Sequence, residues 1–213
     1  MIPDELLAKV TTCSVSDALM RRGLRQYMAQ RIRPIGTSKV AGRALTARRE
    51  LIESTSAAVM PNIELITLIE NAGTGDVLVF NQAEGDPAAL WGGLMAAAAV
   101  QRGVAVVADG PVRDPDEIES LGCACFCTGA VPAGQAGILA LTGIGVPVQC
   151  GGITVNSGDF VLGDASGIVV IPQGQELAVL EEAVEIEQRD QSAMTLLKEG
   201  VPLREVMQRL GRA

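Results

Sequence analysis

The chain of 213 residues has no histidine, which removes the commonest general base and the commonest side-chain metal ligand. Lysine is scarce: Lys9, Lys39 and Lys198 are the only candidates for an imine with a carbonyl substrate. Lys9 and Lys198 fall in polar helical stretches and Lys39 in a loop, so none has the apolar setting that lowers a lysine pKa. Aromatic residues make up 2% of the chain, against 48% apolar overall, so the core has to be built from Val, Ile, Leu and Ala. Positive charge is also short. The net charge of −8 argues against a general nucleic-acid binder, which needs a basic face. No apolar run is long enough to span a bilayer, and MIPDELLAKV carries acids where a signal peptide carries bases, so the expectation is a cytoplasmic protein without a membrane partner.

Five cysteines are present. Cys123, Cys125 and Cys127 alternate, which places them on one face of a strand as buried, reduced thiols. A zinc knuckle usually has two residues between its ligands.

What is there is organised around Leu90–Glu117. Gly92 and Gly93 open an alanine-rich helix, and a buried strand follows at Val104–Ala108. A turn then delivers Arg113, Asp114, Asp116 and Glu117 together. Helix N-termini expose N–H groups that bind anions, and α/β folds place ligands at the carboxyl ends of strands.

Around that stretch the pattern predicts two short helices over residues 3–22, the second capped by Ser14 or Ser16 and closed by Gly23. Arg31–Lys39 reads as a loop, Val40–Arg48 as a strand in which Gly42 marks a bulge or close packing, and Met60–Asn71 as a helix. Asp76–Phe80 is a short strand and Asn81–Pro87 a loop. A helix is expected to end near Gly122, then a strand at Cys123–Cys127, with Ala130–Gly145 mainly loop. Pro147–Cys150, Ile153–Val155, Phe160–Leu162 and Ile168–Ile171 read as antiparallel strands. Gln175–Glu199 forms a long acidic amphipathic helix, suited to packing on the core or a neighbouring subunit, and Val201–Leu210 a short one. Domain limits are expected at 1–172 for an α/β sandwich and 173–213 for the terminal helices.

Two motifs carry chemistry, each with a purely structural alternative. Gly92-Gly93 suits either a helix packed tightly on the sheet or a carboxylate held by successive amides. Arg113-Asp114 can be an ordinary ion pair with Asp114 as N-cap and Glu117 completing a capping box. Alternatively, Asp114 and Glu117 hold a hydrated divalent cation while Arg113 offers its planar fork to a carboxylate or enolate oxygen. No dinucleotide fingerprint or GxxxxGK loop is present.

Gly92, twenty intervening residues, Arg113-Asp114, two more and then Glu117 resemble the G-x20-R-D-x2-E/D signature of the RraA-like proteins and class II 4-hydroxy-4-methyl-2-oxoglutarate/4-carboxy-4-hydroxy-2-oxoadipate aldolases. SVSDAL (14–19), AGRALT (41–46), RGVAVVADGPVRD (102–114) and SGDFVLGDASGIVVIP (157–172) agree with that family. The resemblance implies an αββαβ sandwich with a C-terminal helical extension, assembled as a homotrimer or hexamer. It implies a lyase that releases pyruvate from a 4-hydroxy-2-oxo acid, with oxaloacetate decarboxylation as a side activity. Arg113 and Asp114 would be catalytic. Gly92, Gly93, Leu94, Met95 and Arg113 would bind the 2-keto acid, and the metal, Mg2+, Mn2+ or another divalent ion, would be held by Asp114 directly and by Glu117 through a metal-bound water. A further acid from a neighbouring subunit's C-terminal region is also implied, with Glu187 and Asp190 in the right region and other acids left open. RraA itself supplies the alternative function, a regulator that binds and inhibits an RNA-degrading endonuclease. Two departures stand out: Gly92 replaces an aspartate found in some aldolases, and Phe126-Cys127-Thr128-Gly129 lacks the arginine of the family's FARG phrase.

Overall fold

The computed structural model describes residues 2–37, 39–51, 63–81, 83, 85, 88–135 and 138–210. Helices α1 (Asp4–Leu7) and α2 (Thr12–Arg21) come first, then strands β1 (Arg33–Gly36) and β2 (Val40–Leu51) and helix α3 (Ile63–Asn71). The middle alternates: β3 (Asp76–Phe80), α4 (Gly93–Arg102), β4 (Ala105–Ala108), α5 (Pro115–Ser120), β5 (Ala124–Cys127). Strands β6 (Leu139–Ile144), β7 (Val148–Cys150), β8 (Ile153–Val155), β9 (Phe160–Asp164) and β10 (Gly167–Ile171) follow, before α6 (Glu176–Lys198) and α7 (Leu203–Arg209).

The chain divides into two units, Gln26–Gln173 and a helical unit of Met1–Arg25 with Gly174–Ala213. The division at 172/173 read from the sequence therefore lies beside a boundary, while the N-terminal helices go with the C-terminal ones. In the helical unit α6 buries Val179, Leu180, Ala183 and Ile186, the apolar stripe its sequence shows. The cap of α2 is Thr11 rather than Ser14 or Ser16. The Thr11 hydroxyl accepts from Ser14 N at 3.2 Å, and the Ser14 hydroxyl accepts from Thr11 N at 3.1 Å. Ser14 is thus the returning half of the box, a role its hydroxyl fills as well as Glu would. No helix among the described residues is long and apolar enough to cross a membrane.

The larger unit is built on a sheet ordered β1-β5-β4-β3-β2-β9-β10, with β6 also pairing β2. Strands β2 to β5 are parallel neighbours, and β1, β6, β9 and β10 are antiparallel additions. Strand alternation sorts the side chains. Leu78, Phe80, Val106, Ala108, Cys125 and Cys127 turn to a layer holding Leu65, Ala96, Ala99 and Ile118 of the helices. Val77, Val79, Val107 and Phe126 turn the other way, to Met28, Val148, Cys150 and Val155 beside the β7–β8 hairpin. This is a mixed α/β fold with both faces of the parallel strands covered.

Cys123 joins Cys125 and Cys127 on the helix side. Burial pushes the Cys123 thiol up to about 11, and a hydrogen bond with Cys127, then burial, raises Cys125. These are packing thiols, and no group of three or more potential metal ligands exists among the described residues.

Three expectations need correction. Arg31–Lys39 is not all loop, because β1 pairs β5 from Arg33↔Cys127 to Gly36↔Ala124. Pro34 is compatible with this since β1 is an edge strand, where a missing N–H is tolerated. Ala130–Gly145 contains β6, Leu-Ala-Leu-Thr-Gly-Ile, a strand interrupted by Ala140 and Gly143 that is held by pairing with β2. Strand β2 runs past Arg48 to Leu51, through an Arg-Arg-Glu sequence that reads as a polar end. Gly42 is a close-packing site, as a Cβ there would strike the carbonyl oxygen of Gly75. The first residues of the helix expected from Met60, and most of the loop at Asn81–Pro87, lie outside the described residues.

Candidate active site

Beyond the carboxyl end of β4 the chain turns through Asp109-Gly110-Pro111 and is held there by a clamp. Arg31 donates to the Asp109 carboxylate through two nitrogens, at 3.1 and 2.7 Å, and Gly151 N donates to it at 2.7 Å. Asp109 is buried. The turn passes on into a ladder of main-chain bonds: Leu90 N to Pro111 O at 2.8 Å, Arg113 N to Trp91 O at 2.9 Å, and Val112 N to Gly129 O at 2.9 Å. Trp91 pairs with Val112, and Val112 with Ala130, as parallel bridges. This ladder sets Arg113 and Asp114 against the start of α4.

Asp114 has φ 57° and ψ 50°, the one non-glycine residue with positive φ among those described. Left-handed backbone costs most residues about 1 kcal/mol or more, and Asp tolerates it better than most. The residue stands at the N-cap position of α5, yet its side chain caps nothing in that helix. The carboxylate turns across to α4, where Oδ2 accepts from Gly93 N at 3.2 Å and lies 3.5 Å from Arg113 Nε. The capping-box alternative therefore fails. As a stabilising ion pair the Arg113–Asp114 contact is also weak, because the two side chains are 49% and 40% exposed.

Three glycines make room for this cluster. A Cβ on Gly92 would meet Arg113 Cγ at 2.9 Å and Asp114 Oδ2 at 3.2 Å. One on Gly93 would collide with the Glu117 carboxylate, and one on Gly134 would lie 2.8 Å from Arg113 Nη1. A cavity of about 240 Å³ opens here, walled by Ala89, Trp91, Gly92, Gly93, Leu94, Met95, Arg113, Asp114, Gly134 and Gln135. All the residues read from the sequence as substrate-binding or catalytic thus line one cavity. Glu117 lies just outside it, over Gly93. Glu187 is in the helical unit, accepting from Thr11 Oγ1 at 2.5 Å, and Asp190 lies on the same helix.

Sequence reading missed Gly134, Gln135 and Trp91, and the only signal at Gly134 is a run of small residues shared with many loops. It also missed Arg49, which is 1% exposed. Its Nη1 donates to Leu90 O, and its guanidinium carbon stands 4.7 Å from the centre of the Phe80 ring. Nε and Nη2 of Arg49 have no hydrogen-bond partner among the described residues, nor has Trp91 Nε1. Burial pushes the Arg49 pKa down to about 9, leaving it charged at neutral pH.

Mg2+ typically binds through one or two carboxylates and keeps several waters. Asp114 and Glu117, both exposed and both beside Gly93, fit that donor set, whereas a thiolate or imidazole metal finds no site here. The first turn of α4 supplies anion-binding N–H groups. Gly93 N is engaged by Asp114, and those of Leu94 and Met95 have no partner among the described residues.

A family model described as RraA-like, Aldolase/RraA, matches residues 12–170. A Halalkalibacterium halodurans protein named "Putative 4-hydroxy-4-methyl-2-oxoglutarate aldolase" is 34% identical over 197 residues, 90% of this chain and 86% of that protein. An uncharacterized Pseudomonas syringae protein superposes with a TM-score of 0.83 at 24% identity, covering 96% of this chain and 98% of the other, which bears on fold alone. Streptomyces coelicolor RraAS2, described as an unusual member of the RNase ES inhibitor RraA protein family, gives 0.78 at 25% identity, covering 91% and 97%. The chain belongs to the RraA-like family of aldolases and RraA proteins.

Proposed function

We propose that the protein is a divalent-metal-dependent lyase that cleaves a C–C bond of a 4-hydroxy-2-oxo acid and releases pyruvate, with oxaloacetate decarboxylation as a side activity. The observation that carries this reading is the turned Asp114 carboxylate, which leaves its own helix to join Arg113 at the amide-lined start of α4. The Leu94 and Met95 amides bind the substrate carboxylate. Arg113, half exposed at the cavity wall, donates to the oxygen that becomes the enolate oxygen when the C3–C4 bond breaks. Asp114 and Glu117 hold Mg2+ or Mn2+, which when bound supplies Lewis-acid polarisation of the keto acid. The cytoplasm and a trimeric or hexameric assembly, in which an acid from a neighbour's C-terminal region (Glu187, Asp190 or another) completes the cavity, remain part of the proposal.

The test is pyruvate release from oxaloacetate and from 4-hydroxy-4-methyl-2-oxoglutarate, with and without Mg2+. Absence of metal-dependent pyruvate from both substrates would sink the lyase reading. A second reading, inhibition of an RNA-degrading endonuclease by binding it, draws on the RraA relative of similar fold and the net charge of −8. It predicts endonuclease binding without turnover.

Gly93→Ala separates site from scaffold. The three atoms nearest the inserted methyl all belong to Glu117, chiefly its carboxylate, the far end of a flexible exposed side chain, so the melting temperature should hardly change. Displacing that carboxylate should raise the Mg2+ concentration for half-maximal activity by about 10- to 100-fold, the range for disturbed metal surroundings. An unchanged Mg2+ requirement would remove Glu117 from the metal site.

A further inference from the structure

A guanidinium that is 1% exposed, with Nε and Nη2 unbonded, is the least comfortable charge among the described residues. Removing a charge from water costs several kcal/mol unless partners restore what hydration supplied. Arg31 shows what a partnered arginine looks like here, since its Nε and Nη2 grip both oxygens of Asp109. Arg49 has that same edge free. Its one side-chain hydrogen bond goes to Leu90 O, and its face lies on Phe80.

Leu90 is two residues before Gly92, and the intervening Trp91 lines the cavity and packs on Phe80 with ring centres 6.0 Å apart. The segment Leu90–Trp91 is tied to the turn on one side through Leu90 N and Trp91 O. Arg49 ties it on the other through Leu90 O. Among the charged side chains grouped at the cavity, the carboxylates of Asp114 and Glu117 outnumber the single guanidinium of Arg113. Until a divalent cation is bound, that balance opposes an anionic ligand. A fixed positive charge behind the wall offsets it, and in poorly hydrated surroundings its field is weakly screened.

We infer that Arg49 is a positioning residue for the carboxylate cradle: it holds the Leu90–Gly92 segment in place and supplies a buried positive potential that favours a 2-oxo acid anion. The inference rests on the keto-acid reading of the cavity. It explains a charge that works against stability where it stands, since buried unpaired ions persist mainly where function requires them.

The experiment uses full-length wild type, Arg49→Met and Arg49→Lys in Mg2+, with oxalate, a planar mimic of the pyruvate enolate, as the calorimetric probe. Arg49→Met should melt within a few degrees of wild type, because replacing an unpaired ion by an apolar side chain of similar length offsets the loss of the donor to Leu90 O. It should bind oxalate about tenfold or more weakly. In turnover its KM should rise by a similar factor, with kcat changed less than about threefold. Arg49→Lys, which keeps the charge, should recover most of the binding. Oxalate affinity within twofold of wild type in Arg49→Met overturns the inference while leaving the keto-acid reading intact. So does a lysine variant that folds and binds as poorly as the methionine variant. An Arg49→Met chain that fails to fold contradicts the claim that the charge opposes stability. If wild type itself binds neither oxalate nor pyruvate, the keto-acid reading falls, and the inference with it.

Discussion

Arg113→Ala should lower pyruvate-forming turnover by about 100- to 1000-fold, as for loss of a preorganised donor to an oxyanion, with a melting temperature close to wild type. The two halves of that result have separate origins. Arg113 is half exposed, its ion pair with Asp114 spans 3.5 Å in contact with solvent, and such pairs contribute little to folding. In the cavity, however, it is the lining residue that carries a positive charge. A rate within threefold of wild type would make Arg113 a surface residue that happens to stand beside Asp114.

Asp109→Ala should have the largest effect on stability, about 2–3 kcal/mol, read as the shift in the denaturant midpoint. Breaking a buried ion pair costs roughly 3–5 kcal/mol, and the lower figure reflects an Arg31 side chain that is 44% exposed and can return to water. The Gly151 N–H, which now donates to Asp109 at 2.7 Å, would be left without its acceptor. Asp109→Asn keeps an acceptor oxygen and should lose clearly less. Because the turn it braces leads within four residues to Arg113, activity should fall in the alanine variant even under conditions where it is folded. Equal stability of the alanine variant and wild type would mean the clamp is not needed to hold the turn.

The parallel centre of the fold was legible because its strands are short apolar runs separated by helix signals, as at Asp76–Phe80, which the structure reproduces residue for residue. The pairing of Gly92 with Arg113-Asp114 was legible as a spacing. The direction in which Asp114 points was not, since a residue that looks like a cap becomes something else only through a left-handed backbone set by the ladder on either side. Strands β1 and β6 were missed because their stability resides in distant partners. Arg49 was the least readable of all. Arg48 and Arg49 are identical in type and adjacent, and only strand alternation on the paired sheet sends Arg49 into the same layer as Ala47.

Strand β2 accepts β3 along one edge and, along the other, first β9 and then β6. Val40 meets Gly163, a pairing that closes a loop of more than half the chain, whereas β3, β4 and β5 follow one another with single helices between. Loop-closure entropy must be met before such a distant pairing returns anything, and chains dominated by remote contacts fold slowly. The β3–β5 segment, which carries Gly92, Arg113 and Asp114, is therefore expected to assemble early. The stretch of β2 that supplies Arg49 is paired only when residues near 141 return to it, Arg49 meeting Leu141 of β6. On that account the cavity's charged rim precedes the buried charge behind it in folding, and a chain halted before β6 docks would own the first without a secured second.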